Sequence, residues 1–292
     1  MWNFLKKKSQ TGKQNKMLNA DHFYCIGSSH HFCEDFADSA THENKSYAIV
    51  SDGCSSATDS MIGSMLLTKS ASQNIYPIRS SEQSQVMVDL TIQMAGIFQR
   101  TLGVSQEALN ATLLTVAATP NSFRVTTTGD GVIVARNKEG WLEFHELEYT
   151  TNAPFYPAYS LTPTSVKQYL EEFPGEYVMR STINGVTEEH RLPMEVGRLA
   201  GVITYCYDFS FNQYDLVGVL SDGVQSFYKE VQSDVSKTRQ SVPTKEVIEE
   251  LFAFKNFKGE FVKRRLQKAF KLFKRNNWDH FDDFSMGVVY NA

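Results

Sequence analysis

Three acidic positions share one setting. Ser51-Asp52-Gly53 and Ser221-Asp222-Gly223 each close an apolar run, residues 47–50 and 216–220, and Asp282-Asp283 immediately precedes another at 284–290. A strand end fixes the backbone while letting its terminal side chain project out of the core, so carboxylates far apart in sequence can converge. Converged carboxylates suit hard cations such as Mg²⁺ and Mn²⁺, which take oxygen ligands. The glycine after Asp52 and after Asp222 permits close approach of the backbone, and the Gly53 carbonyl could itself coordinate metal. Asp-Gly alone is a common turn dipeptide. The pointer to a metal centre is the ordered combination with Glu34-Asp35 upstream and Asp282-Asp283 downstream.

The elements that must position these groups are legible in the hydrophobic pattern. Residues 23–27, 47–52, 112–118, 132–135, 216–222 and 284–290 read as strands. Between residues 59 and 102, Met61, Met65, Leu66, Val86, Leu90, Met94, Ile97 and Phe98 recur at three- and four-residue steps, which predicts two amphipathic helices. Gly129-Asp130-Gly131 lies between two strand-like runs, 123–128 and 132–136, and predicts a hairpin turn. Residues 152–174 hold Pro154, Pro157, Pro163 and Pro174 and predict an irregular loop or flap. Thr244 can cap a helix carrying Val247, Ile248, Leu251 and Phe252, and residues 261–273 carry a second apolar stripe.

Composition bounds the rest. The 292 residues, 41% hydrophobic and 21% charged, suit one globular domain. We expect it at 21–292, after a flexible basic tail, 1–20, whose Lys6, Lys7, Lys8, Lys13 and Lys16 lack the apolar run of a secretory signal. No apolar stretch reaches the ~20 residues of a bilayer-crossing helix, so a soluble, cytoplasmic protein is expected. A net charge of −4 makes neither nucleic acid nor membrane the default partner. Cys25, Cys33, Cys54 and Cys206 lack CxxC spacing, which fits reduced thiols rather than a zinc or redox motif.

Taken in order, Cys33-Glu34-Asp35-Phe36, Val50-Ser51-Asp52-Gly53-Cys54, Thr128-Gly129-Asp130-Gly131, Leu220-Ser221-Asp222-Gly223-Val224 and Asp282-Asp283-Phe284-Ser285 resemble the successive motifs of the PPM (PP2C-like) metal-dependent protein serine/threonine phosphatases. The resemblance spans residues 23–290. It implies an α+β fold: a sandwich of two antiparallel β-sheets with helices on both outer faces, in four layers (αββα). It implies a centre of two Mn²⁺ or Mg²⁺ ions. Asp52 would bridge both, with the Gly53 carbonyl on one and Asp222 and Asp282 on the other, and Glu34 and Asp35 would act at the second metal, partly through water. Asp283 would stand behind the ligands. Two cations ~3.5–4 Å apart lower the pKa of a shared water, orient it for in-line attack and neutralise phosphoryl charge. The implied partner is a phosphorylated protein, hydrolysed at phosphoserine or phosphothreonine in signalling.

The pattern also departs from the family. His30 stands where an Arg often holds substrate phosphate, and as imidazolium could bind phosphate or donate a proton. Cys54 replaces a frequent His. Ser226 replaces an Asp of an additional metal site, and Asp130 reads as a turn residue. Lys263, Arg264, Arg265, Lys268, Lys271, Lys274 and Arg275 read as the solvated face of a helix, and Phe155, Tyr156 and Tyr159 as anchors of a loop. The departures motivate an alternative, a catalytically silent PP2C-like module that binds phosphoproteins or regulates. A two-metal phosphodiesterase or nuclease on another fold is a third reading, but the clustered His and Asp motifs of many such enzymes are missing.

Overall fold

Along residues 48–50 the side chains alternate: Ala48 and Val50 enter one core and Ile49 another. The same period-2 pattern recurs where Ile133 and Ala135 oppose Val132 and Val134, and where Val217 and Val219 oppose Leu216 and Leu220. Strands buried on both faces must form the inner layers of a sandwich.

The computed structural model describes residues 18–42, 45–75, 80–196, 201–232 and 237–292. In chain order the elements are β1 (Leu18–Cys25), β2 (Phe36–His42), β3 (Lys45–Ser51), α1 (Ser60–Asn74), α2 (Ser81–Leu102), β4 (Leu113–Ala118), β5 (Ser122–Thr128), β6 (Gly131–Asn137), β7 (Leu142–Tyr149), α3 (Pro163–Glu172), β8 (Tyr177–Ile183), β9 (Val186–Leu192), β10 (Tyr205–Ser210), β11 (Tyr214–Leu220), β12 (Phe227–Gln232), β13 (Lys237–Ser241), α4 (Thr244–Leu251), α5 (Phe261–Arg275), β14 (Trp278–His280) and β15 (Phe284–Asn291). One sheet runs β1-β15-β11-β6-β7-β8-β9, the second β10-β5-β4-β3-β2, and a small third β13-β12-β14. All their pairings are antiparallel.

Between the two large sheets lies a core that includes Val50, Leu114, Val116, Ile133, Val217 and Val289. On the outer face of the five-stranded sheet, Ile49 and Leu113 pack with Ala71 of α1 and Met87 and Val88 of α2. On the outer face of the seven-stranded sheet, Val134, Leu216 and Val288 pack with Ile248 of α4 and Leu266 and Phe273 of α5. The architecture is the four-layer αββα sandwich expected.

Several expectations about local structure need correction. The predicted hairpin over residues 129–131 is absent: β5 pairs with β4 and β10, whereas β6 pairs with β7 and β11 in the other sheet. Gly129-Asp130-Gly131 is therefore a crossover between layers. Positive φ at Gly129 (101°) and Gly131 (136°) makes the bend, and a Cβ at Gly131 would stand 2.6 Å from the Leu220 carbonyl oxygen. Residues 152–174 are not irregular throughout, since they contain a 3₁₀ turn (Pro157–Leu161) and α3. Pro163 sits in the first turn of α3, where proline is favoured, and the Thr162 hydroxyl caps the helix by accepting from the Ser165 N–H at 3.3 Å. Thr244 does not cap α4: it is the first helical residue, after Pro243. β1 starts at Leu18, paired with Asn291, so ordered strand reaches into the expected tail, and residues 1–17 of that tail lie outside the described residues.

Candidate metal centre

Strand register gathers the acidic residues at one end of the sandwich. Phe36 at the start of β2 faces Ser51 at the end of β3, so Asp35 and Asp52 are neighbours. Leu220 at the end of β11 pairs with Val132 near the start of β6 and with Met286 near the start of β15, which brings Asp222, Asp130 and Asp282 to the same end. Each sheet contributes to the cluster.

Local bonds hold the backbones in place. The Asp52 N–H donates to Thr112 Oγ1 at 3.0 Å, and its carbonyl accepts from the Thr112 N–H at 2.8 Å. Cys54 N–H donates to the Asn110 carbonyl at 2.8 Å, so the ladder bonds flank the Gly53–Ala111 bridge and leave the Gly53 carbonyl out of it. Ser226 Oγ accepts from the Asp282 N–H at 3.2 Å and donates to the Gly223 carbonyl at 2.8 Å. His280 Nδ1 contacts the Asp282 carbonyl at 2.8 Å, so as an N–H donor it braces the same peptide. A Cβ on Gly223 would lie 1.7 Å from the Asp283 carbonyl oxygen, so only glycine fits between these two segments.

A second set of contacts joins the 27–35 loop to the start of β15. The buried Asp283 carboxylate accepts from the Gly27 N–H at 2.7 Å and from the Glu34 N–H. His30 Nδ1 lies 3.2 Å from Glu34 Oε2 and 3.3 Å from Asp283 Oδ2, and its Nε2 lies 3.2 Å from Asp282 Oδ1. Both imidazole nitrogens thus face carboxylates. Ser60, the first residue of α1, donates its hydroxyl to Glu34 Oε1, and Ser64 donates to the Glu34 carbonyl at 2.5 Å. Donor atoms of His30, Glu34 and Asp283 lie within 4.8 Å of one another, a spacing that could hold an ion. Because Asp283 already accepts two backbone N–H groups, the trio acts here as a brace between loop and strand.

The electrostatics distinguish the remaining carboxylates. Asp35 is 1% exposed, and neither of its oxygens has a hydrogen-bond partner in good geometry. Burial pushes its carboxyl up to about 7, with Asp222 adding to the rise, although Ser221, Ser285 and Asp52 approach closely enough to oppose it. Asp52 is raised well above the ordinary carboxylate range by burial, then by Asp35 and Asp222. Asp130 is pushed up to about 7 by burial, then by Asp222, Glu148 and Asp282. Asp282 is raised by burial and by Asp222. Asp222 thus stands among all four. Side chains of Asp52, Asp130, Asp222 and Asp282 remain partly open to solvent, as an accessible cleft requires. Among the described residues no lysine or arginine forms an ion pair with this cluster, and the nitrogen that meets Asp282 is His30 Nε2.

Such a donor set fits divalent hard cations. Clustered carboxylates with a buried, partner-free member are costly alone and are compensated by cationic charge. A cavity of about 660 Å³ lined by Arg136, Trp141, Lys245 and Phe254 lies at the other end of β6 and holds none of these residues. The chemistry follows the carboxylates rather than that cavity.

The structure brings together the sequence-predicted Asp35, Asp52, Gly53, Asp222 and Asp282, with Glu34 and His30 at their margin. It adds Asp130, whose Asp-Gly pair at a strand terminus repeats the signal of Asp52 and Asp222. It also moves Tyr156 toward the site. Burial raises the Tyr156 hydroxyl, with Cys54 next and Asp130 and Asp52 further off, whereas Phe155 is fully buried in the core as an anchor.

The sequence profile of protein phosphatase 2C matches residues 27–271. The chain belongs to the protein phosphatase 2C family. That match includes Asp35, Asp52, Asp130 and Asp222 and stops before Asp282, which the register of β15 supplies. Among solved structures, the fold is similar to the serine/threonine phosphatase of S. agalactiae, with a TM-score of 0.54 and 14% identity over 94% of this chain and 99% of that one. It is also similar to the serine/threonine phosphatase Stp1 from Staphylococcus aureus, with a TM-score of 0.52 and 14% identity over 94% of this chain and 95% of that one. No protein of curated function matches the sequence. Among the described residues of this PP2C-family chain, no helix is long and apolar enough to cross a membrane.

Proposed function

We propose that the chain is a metal-dependent phosphoprotein phosphatase that hydrolyses phosphoserine and phosphothreonine in the cytoplasm. The observation that carries the reading is the convergence of Asp35, Asp52, Asp130, Asp222 and Asp282, from both sheets, around an uncompensated buried carboxylate. Membership of a metal-dependent phosphatase family supports it.

In this reading Asp52, Asp222 and Asp282 are the main ligands of two Mn²⁺ or Mg²⁺ ions, joined by the Gly53 carbonyl, Asp35 and Glu34. Bound ions of this kind supply a water acidic enough to attack phosphorus and positive charge to receive the phosphoryl oxygens. The protein's own part is to hold the oxygen donors still and to leave one side of the cluster open to substrate. Thr112, Ser226 and His280 hold the peptides that carry Asp52 and Asp282. His30 couples Glu34 to Asp282, so its two nitrogens orient carboxylates before either reaches a phosphate. In this reading the Tyr156 hydroxyl, near Cys54, donates to a substrate oxygen in place of the His that Cys54 replaces.

The test is phosphate release from a phosphoserine peptide, an aryl phosphate and a phosphodiester, each with Mn²⁺, Mg²⁺ or chelator. Release from the two monoesters that requires metal supports the reading. Diesterase activity alone would transfer the site to another reaction class, and metal binding with no turnover would favour the silent module.

A further inference from the structure

α5 carries seven cationic residues among fifteen and no acidic one, in a chain whose net charge is −4. Three of them are accounted for. Arg265 is buried against Glu250, Lys263 pairs with Glu260 at 3.2 Å, and Arg264 donates to the Lys258 carbonyl. Lys268, Lys271, Lys274 and Arg275 are exposed and form no ion pair among the described residues. They repeat at three- and four-residue steps, a spacing at which like charges destabilise a helix. The helix dipole favours cations in the last turn, which explains Lys274 and Arg275 but not Lys268.

We propose that this ridge docks acidic residues flanking the phosphorylated residue of a protein substrate. The inference rests on the phosphatase reading and specifies its substrate class. Placement supports it: α5 leads into β14, whose His280 pairs with Phe227 of β12 and braces the Asp282 carbonyl. Asp282 lies seven positions after Arg275, so the end of the ridge is at most about 25 Å from the acidic cluster, within reach of seven or eight extended substrate residues. An acidic phosphoprotein approaching a negatively charged body and an acidic cleft needs a local cationic surface, and this ridge provides one. A bilayer is a poorer occupant, because the apolar side of α5, with Phe261, Val262, Leu266, Ala269 and Phe273, is committed to the core.

The full-length protein would be assayed with two fluorescein-labelled phosphoserine peptides of one core sequence, one flanked by Glu and Asp and one by Gln, and with an aryl phosphate. Variants are the triple substitutions Lys268→Gln/Lys271→Gln/Lys274→Gln and Lys268→Glu/Lys271→Glu/Lys274→Glu, checked for unchanged melting. Expected is a KM for the acidic peptide raised about tenfold in the Gln variant and further in the Glu variant, with turnover of the other two substrates unchanged and the wild-type preference shrinking as salt rises. Fluorescence anisotropy reads the same preference as affinity where turnover is absent, so failure of the phosphatase reading is separable. Equal handling of both peptides by the wild type, a preference that survives the Glu variant, or tighter binding of duplex DNA or phosphatidylserine vesicles overturns the proposal.

Discussion

The carboxylate of Asp283 accepts a 2.7 Å hydrogen bond from the backbone N–H of Gly27, joining the loop that carries His30, Glu34 and Asp35 to the segment that carries Asp282. Its other oxygen accepts from Glu34 N–H, so one buried side chain aligns donors from two distant parts of the chain. Asp283→Ala leaves two backbone donors without their acceptor and is expected to cost about 2 kcal/mol or more. Asp283→Asn, which keeps one acceptor oxygen, should cost less. Urea denaturation in chelator measures both, and equal stability of Asp283→Ala and the wild type would contradict the brace.

Asp130 gives a prediction with two opposite signs. Replacing it by Asn removes a partly buried carboxyl that burial, and then Asp222, pushes up to about 7. The metal-free protein should therefore become more stable at pH 8, while calorimetry should find Mn²⁺ binding weakened about tenfold, as for loss of a charged group facing the ions. A variant with unchanged metal affinity would return Asp130 to a purely conformational role.

The acidic cluster also predicts how the chelated protein responds to pH. Asp35 and Asp130 are both raised to about 7 when folded, whereas an unfolded chain titrates its aspartates near about 3.9. Between those values the folded state holds protons that the unfolded state has released. The associated stability is fully present below the unfolded pKa and is lost as pH rises through 7. In chelator, denaturation midpoints should fall from pH 5 to pH 8. Saturating Mn²⁺, which binds the ionised carboxylates, should reduce or reverse that slope. A chelated protein that gained stability over the same range would show that the cluster is not desolvated as described.

The strands were legible because β3, β6 and β11 are short apolar runs, and Asp-Gly at the ends of β3 and β11 marked Asp52 and Asp222, whereas the two-sheet sandwich was expected only from the resemblance to the phosphatase family. Gly129-Asp130-Gly131 misled because a turn dipeptide has the same local chemistry whether it joins neighbours in one sheet or crosses between two. Only the pairing of β6 with β11 distinguishes them. The 152–174 segment misled for a related reason: Pro163 breaks a helix from within but begins one when Thr162 caps it. Tyr156 could not be separated from Phe155 by type, since which aromatic turns inward depends on the fold around Cys54.

The most direct test of the account is phosphate release from an aryl phosphate by the wild type, Asp52→Asn and Asp222→Asn, with Mn²⁺ and with chelator, alongside Mn²⁺ calorimetry of each. The account predicts turnover only with metal, a loss of at least about a hundredfold in each variant, and weakened Mn²⁺ binding in both. Activity that persists in chelator, or that survives both substitutions, would contradict it.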